Sequence, residues 1–262
     1  MKEQTVETLI VMARAPGTMG LRSRLARELG ELEAARLEAA FLVDTMTLAA
    51  QWKRQSTAAE IRRVSLYVPD STDDAILQEL CSLAGARVLS HSGADAGEQL
   101  RNALTDELDR GASRVFLMGT ATPTLPVHLL DEAMRSVLFH DVVMGPTFDG
   151  GAWGLGVRRE TDLAPEREGV VLAALLERIP WGQSGLLSQT MERLHKAALS
   201  VHLLPYWLDV MEPSDLPRLK TNLRYQELRN HPRGTATRAA LQHQPPPSHP
   251  LPPVLPRAHR RA

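Results

Sequence analysis

Cysteine occurs once in the 262 residues, at Cys81, so neither an intramolecular disulfide nor a cysteine-rich metal site can form. A single cysteine fits a reducing, cytoplasmic setting. Aromatic residues make up only 4%, too few for a platform that stacks single-stranded bases. Neither sign of charge dominates: 30 basic residues face 31 acidic ones, for a net charge of -1. No global positive field draws the chain to nucleic acid or to an anionic membrane. Long apolar runs are also missing, since stretches such as 170–176 fall far short of the ~20 residues that span a bilayer. The polar segment 1–7 lacks the basic-then-apolar pattern of a secretory signal.

What is present is an ordinary globular composition, 43% hydrophobic and 23% charged, with enough chain for a sizeable core. One segment differs from the rest. Residues 242–262 hold seven of the 18 prolines, three arginines and no acid. Proline removes backbone donors and fixes φ, so this reads as a disordered, mildly basic tail. The domain is accordingly placed at 1–240 and the tail at 241–262, where Pro245, Pro246 and Pro247 offer a polyproline ligand to a protein partner or form an inert end.

Short apolar runs alternate with amphipathic ones before the tail. Strands are expected at 8–13, 64–68, 87–89, 115–118, 141–145, 153–157 and 201–204. Helices are expected at 25–53, after a cap at Asp70, Ser71 or Thr72 and running through Leu83, and at 97–109, 127–138, 171–176, 186–196 and 213–229. This βα rhythm predicts a three-layer α/β/α sandwich around a mostly parallel sheet.

Ligands of open parallel sheets bind beyond the carboxyl ends of the strands. The first such loop, 14–24, reads RAPGTMGLRSR, with Arg14, Arg22 and Arg24 beside Pro16 and two glycines. Glycines admit close backbone approach and arginines grip phosphate oxygens, so the loop is either a phosphate site or a turn with solvated arginines. It is neither a Walker loop nor a dinucleotide fingerprint. Gly151, Gly154 and Gly156 precede a strand and are set aside as a glycine motif. Cys81 reads as a small buried hydrophobe on its helix. The nine histidines show no zinc-ligand spacing; His195 and His202 fall on different elements.

Several blocks resemble those of bacterial glycosyltransferases of the GT-A, nucleotide-diphospho-sugar-transferase type, whose cousins are the guanylyltransferases of molybdenum-cofactor and deazaflavin-cofactor synthesis. Ala13, Arg14, Ala15 and Pro16 match the start of that family's first loop, and Arg22, Ser23, Arg24 and Leu25 its end. Gly93, Asp95, Gly97 and Glu98 match a second block; Gly145, Pro146, Asp149, Gly150 and Gly151 a third. Ile179, Pro180 and Trp181 match a fourth, and Asp209, Val210, Asp215 and Leu216 a fifth. The resemblance spans roughly 8–225 and implies transfer of a sugar from a nucleotide-diphospho-sugar to an acceptor. Arg14, Arg22 and Arg24 would then hold the diphosphate, with Pro16 and Ser23 in the same loop.

The resemblance also exposes departures. Where the family carries acids after the fourth strand, this chain has Ala121 and Thr124, and Met211 replaces a third acid. A magnesium or manganese ion wants carboxylate oxygens, and of the implied set only Asp209 remains as a ligand. Asp209 otherwise reads as a turn or capping residue, and Asp95 as a helix N-cap. Asp149 is either the residue that contacts sugar or acts as base on the acceptor, or the anchor of an Asx turn in its Asp-Gly-Gly loop. Trp181 lines a sugar pocket or simply packs. Besides glycosyl transfer, two readings stay open: nucleotidyl transfer, and a non-catalytic interaction module of the same fold.

Overall fold

Five successive residues of the first strand, Glu7 to Val11, are buried, which marks a strand covered on both faces. The computed structural model describes residues 4–14, 24–69, 74–159, 165–177, 179, 181, 185–230 and 233–242, and it places this strand, β1 (Thr5–Met12), centrally. The remaining strands are β2 (Glu60–Pro69), β3 (Arg87–His91), β4 (Arg114–Met118), β5 (Val142–Pro146), β6 (Ala152–Arg158) and β7 (Val201–Leu203). They form a seven-stranded sheet in the order β3-β2-β1-β4-β6-β5-β7. All pairings are parallel except those of β6, which runs antiparallel between β4 and β5. The expected mostly parallel α/β sandwich is therefore the observed one.

Glycines explain how β6 fits there. A Cβ on Gly154 or Gly156 would stand 2.5 or 2.9 Å from the Phe116 ring of β4, and one on Gly145 of β5 would stand 2.1 Å from the Trp153 ring. Phe116 and Trp153 pack with centroids 5.5 Å apart, so the bare backbone on each strand receives the neighbour's ring.

Helices α2 (Glu31–Arg54), α3 (Ala75–Ala84) and α5 (Val127–Ser136) cover one face, burying Trp52, Leu77 and Leu130 against Leu9, Leu66 and Phe116. On the other face lie α4 (Ala96–Asp109), α6 (Pro165–Leu176) and α7 (Leu186–Lys196), around Ile10, Leu117 and Leu155. A third cluster joins the start of α2 to α8 (Leu216–Leu228) and α9 (Thr235–Gln242). None of the described helices is long and apolar enough to cross a membrane.

Several boundaries move. The single helix expected over 25–53 is two, α1 (Ala26–Leu29) and α2, broken at Gly30 with φ +78°. Asp74 caps α3 by accepting from the amides of Ile76 and Leu77, in place of Asp70, Ser71 or Thr72, which lie outside the described residues. Pro213–Asp215 form a 3-10 turn ahead of α8. Helix α9 was not expected: Leu241 and Gln242, the first residues assigned to the tail, belong to it, and Leu241 packs on the third cluster. The buried Asp44 of α2 accepts the Ala236 and Thr237 amides at 3.0 and 2.8 Å, capping α9 across 192 residues. Residues 243–262 lie outside the described residues.

At the amino ends of the strands, Glu7 is buried between Arg62 (3.2 Å) and Arg114 (3.1 Å), and Arg62 also reaches Asp131 (3.0 Å). Cys81 is buried in the α2–α3 core, where loss of solvent pushes its thiol up to about 11. It packs as a hydrophobe, as its sequence context indicates.

Candidate functional site

Three chain segments meet over the carboxyl edge of the sheet. The first follows β4 and runs from Gly119 through Pro126. The second follows β5 and is a tight turn: the Thr147 amide donates to the Gly151 carbonyl (3.1 Å) and the Gly150 amide to the Thr147 carbonyl (3.2 Å). Gly150 has φ +86°, a conformation that favours glycine. Asp149 secures this turn, its Oδ1 accepting from Thr147 Oγ1 (2.5 Å) and from the Gly151 amide (3.0 Å). The Asx-turn role is thus present, and it occupies one carboxylate oxygen. The Leu187 amide donates to the Gly150 carbonyl at 2.9 Å, fixing α7 to the same turn.

The third segment, 204–211, crosses both. The Leu204 amide donates to Met144 (2.8 Å) and the Trp207 amide to Pro146 (3.1 Å), extending the sheet past β5 with an isolated Thr147–Trp207 bridge. Trp207 Nε1 donates to Thr124 Oγ1 at 3.3 Å, and the Val210 amide donates to the Ala121 carbonyl at 2.8 Å. Val210 is buried in the third cluster. Asp209 and Met211, on either side of it, line the cavity instead.

The cavity between these segments has a volume of about 160 Å³ and is lined by Arg24, Ala121, Thr122, Asp149, Gly151, Trp181, Asp209 and Met211, among others. Asp209 is not the lone carboxylate that its sequence context offers. Burial first, and then the charge of Asp149 and that of Asp215, push its carboxyl up to about 7. Two carboxylates therefore share one cavity, and burial there favours the protonated form of Asp209.

Other expected residues are distributed unevenly. Arg24 reaches the cavity and pairs with Glu212 at 3.4 Å. Arg14 stands outside it, 3.8 Å from Glu38. Pro16, Arg22 and Ser23 lie outside the described residues. Asp95 caps α4, its Oδ1 accepting from the Glu98 amide at 2.9 Å, and does not line the cavity. Gly97 works through closeness: a Cβ there would stand 2.7 Å from the Leu176 carbonyl and 3.5 Å from the Trp181 ring. Asp95 and Gly97 thereby seat the first turn of α4 beside Trp181, which forms cavity wall and also packs on the second core cluster.

The uncharged positions converge as well. Ala121 and Met211 both line the cavity, so two of the three replaced acids stand around Asp209 in space. Thr124, the third, is fully buried and accepts the Trp207 indole instead. Among the described residues no group of three or more His, Cys, Asp or Glu can hold a metal ion.

Thr122 and Trp153 are wall residues that the sequence reading did not single out. Thr122 is buried and its Oγ1 has no partner among the described residues, whereas the buried Trp153 indole donates to the Pro205 carbonyl at 3.3 Å. Thr122 adjoins Ala121 in the segment after β4, and that adjacency is its signal in the sequence. Trp181 Nε1 is likewise buried without a partner among the described residues.

Comparison with known proteins agrees with this architecture. The model of a family described as an uncharacterized protein conserved in bacteria, DUF2064, matches residues 47–183. A 3-phospho-D-glycerate guanylyltransferase of Phenylobacterium zucineum is 31% identical over 154 residues, 57% of this chain and 66% of that protein's length. The chain therefore spans just under two thirds of the curated relative it matches. Among solved structures, one described as a nucleotide-diphospho-sugar transferase from Desulfovibrio desulfuricans superposes with a TM-score of 0.66 at 22% identity, covering 89% of this chain and 97% of that one. A cytidylyltransferase from Leptospira borgpetersenii gives 0.51 at 14% identity, covering 92% and 94%. At these identities the solved structures establish the nucleotide-diphospho-sugar-transferase fold.

Proposed function

We infer the function of this chain, which belongs to the DUF2064 family of bacterial proteins, from the contents of its carboxyl-edge cavity. The reading is a transferase that takes a nucleotide-diphospho-sugar and moves the sugar to an acceptor hydroxyl. One observation carries it: Asp149 and Asp209 share the cavity while Ala121 and Met211 offer no further oxygen ligands. A hydroxyl acceptor must lose a proton as it attacks, and a carboxyl titrating near neutral pH can receive it. Arg24 at the cavity wall supplies positive charge for the departing diphosphate. Thr122 Oγ1 and Trp181 Nε1, buried in the walls without partners among the described residues, would gain them from ligand oxygens.

Nucleotidyl transfer is the second reading, favoured by the 31% identity to a guanylyltransferase. Its reactants would set the phosphates of a nucleoside triphosphate beside the same two carboxylates, with Arg24 supplying positive charge at the cavity wall.

The test is product analysis with the full chain, offering sugar conjugates of UDP, GDP, CDP and dTDP in one arm and nucleoside triphosphates with 3-phosphoglycerate in the other, each with magnesium, manganese or chelator. Release of nucleoside diphosphate supports glycosyl transfer, and release of pyrophosphate supports nucleotidyl transfer. Folded protein that neither binds nor turns over any of them refutes both and favours a non-catalytic interaction module.

A further inference from the structure

A second cavity, of about 240 Å³, lies at the amino end of β3, on the edge of the sheet away from the carboxylate pair. Its lining is Lys53, Arg63, Val64, Gly85 and Arg87. Three of these five are cations drawn from α2, β2 and β3, so the fold, not a run of sequence, brings them together.

Their partners leave a charge imbalance. The Lys53 ammonium donates to the Gly85 carbonyl at the end of α3, and Arg63 donates to the Arg110 carbonyl at the end of α4 (3.1 Å). Both partners are neutral, and among the described residues neither Lys53 nor Arg63 forms an ion pair. Arg87 differs, because the buried Glu107 accepts from it at 3.1 and 3.2 Å. The cavity thus carries two positive charges with no counter-charge. The carbonyl ends of α3 and α4 carry only about half a negative charge each, so they offset part of this charge and leave the rest for a ligand. Gly85 also makes room: a Cβ there would stand 2.9 Å from Lys53 Nζ, and the residue's φ of +57° favours glycine. Lys53 and Arg63 are half-buried, so desolvation strengthens their attraction for an anion that enters.

We propose that Lys53, Arg63 and Arg87 form a binding site for a phosphate dianion, separate from the carboxyl-edge cavity. A phosphate monoester carries about -1.5 to -2 at pH 7, opposite in sign to the uncompensated charge, and its oxygens suit both the ammonium and the guanidinium forks. The site takes either the free ion or the phosphoryl group of a small metabolite, and it does not depend on the transferase reading.

Calorimetric titration of the full chain with inorganic phosphate and with glycerol phosphate tests it, beside Arg24→Ala and the double variant Lys53→Met/Arg63→Met, which keeps the apolar stems. Wild type and Arg24→Ala bind one equivalent alike, and the double variant binds at least about tenfold more weakly, the scale of one lost charge-assisted hydrogen bond. Tighter binding of the ester identifies a phosphorylated metabolite; otherwise the free ion is the ligand. Binding that disappears in Arg24→Ala and persists in the double variant overturns the proposal, as does no binding at millimolar phosphate. A footprint needs no variant: phosphate slows acetylation of Lys53 in wild type but not of Lys196 or Lys220. Unchanged rates at all three overturn the site.

Discussion

Asp149→Asn gives the sharpest test of the carboxyl-edge cavity, because it removes one charge and leaves the turn standing. The asparagine carbonyl oxygen keeps the two bonds that Asp149 Oδ1 accepts, from Thr147 Oγ1 and the Gly151 amide. What changes is Asp209, whose carboxyl titrates at about 7 because of burial first and Asp149 second. An unfolded aspartate titrates near ~3.9, so between those values the folded protein holds one proton more than the unfolded chain. Stability from this group is therefore full below about pH 4 and is lost as pH rises to about 7. The whole displacement sets a ceiling of about 4 kcal/mol, which partial solvent exposure of Asp209 reduces.

Asp149 is the second cause of that displacement, after burial. Its removal should lower the Asp209 midpoint by about one pH unit and raise stability above pH 7 by about 1 kcal/mol. Carbon-13 NMR of the aspartate carboxyls reads the midpoint, and urea unfolding at pH 5 and pH 8 reads the stability difference. An Asp209 midpoint that does not move shows that the two carboxylates do not interact. A midpoint that falls all the way to about 4 shows that burial is not the main cause.

Three further outcomes follow from the packing. Gly145→Ala drives a methyl into the Trp153 ring and should cost about 2–3 kcal/mol in urea unfolding, whereas a neutral result means β5 and β6 can separate at no cost. Glu7→Ala leaves Arg62 and Arg114 buried without their shared carboxylate, for a loss of about 3–5 kcal/mol by the same measurement. Arg24→Ala should weaken calorimetric binding of UDP or GDP about tenfold while changing stability by less than about 1 kcal/mol, since its pair with Glu212 is exposed. Unchanged affinity would remove Arg24 from the nucleotide site.

The amino-acid sequence by itself determined most of the elements and the layer order. Runs such as Leu9–Val11 are too apolar for a surface, and helical spacing supplied apolar faces to cover them. Local chemistry was legible for the same reason: Asp95 caps α4 and Asp149 anchors its turn through bonds to residues two or three positions away. The family blocks pointed to the loops that form the cavity, and Arg24, Gly151, Asp149, Trp181 and Asp209 all reach it. Only the tertiary structure decided the rest. The antiparallel insertion of β6 depends on the Phe116 and Trp153 rings meeting bare glycine backbone on other strands. Helix α9 is fixed by Asp44, nearly two hundred residues away, and carries too few apolar residues to announce itself. Asp209 reads as an isolated carboxylate until the Val210–Ala121 bond and the Thr147–Trp207 bridge carry it beside Asp149. A raised carboxyl, like the unpaired charge of Lys53 and Arg63, comes from burial and proximity between distant segments, and local sequence spacing encodes neither.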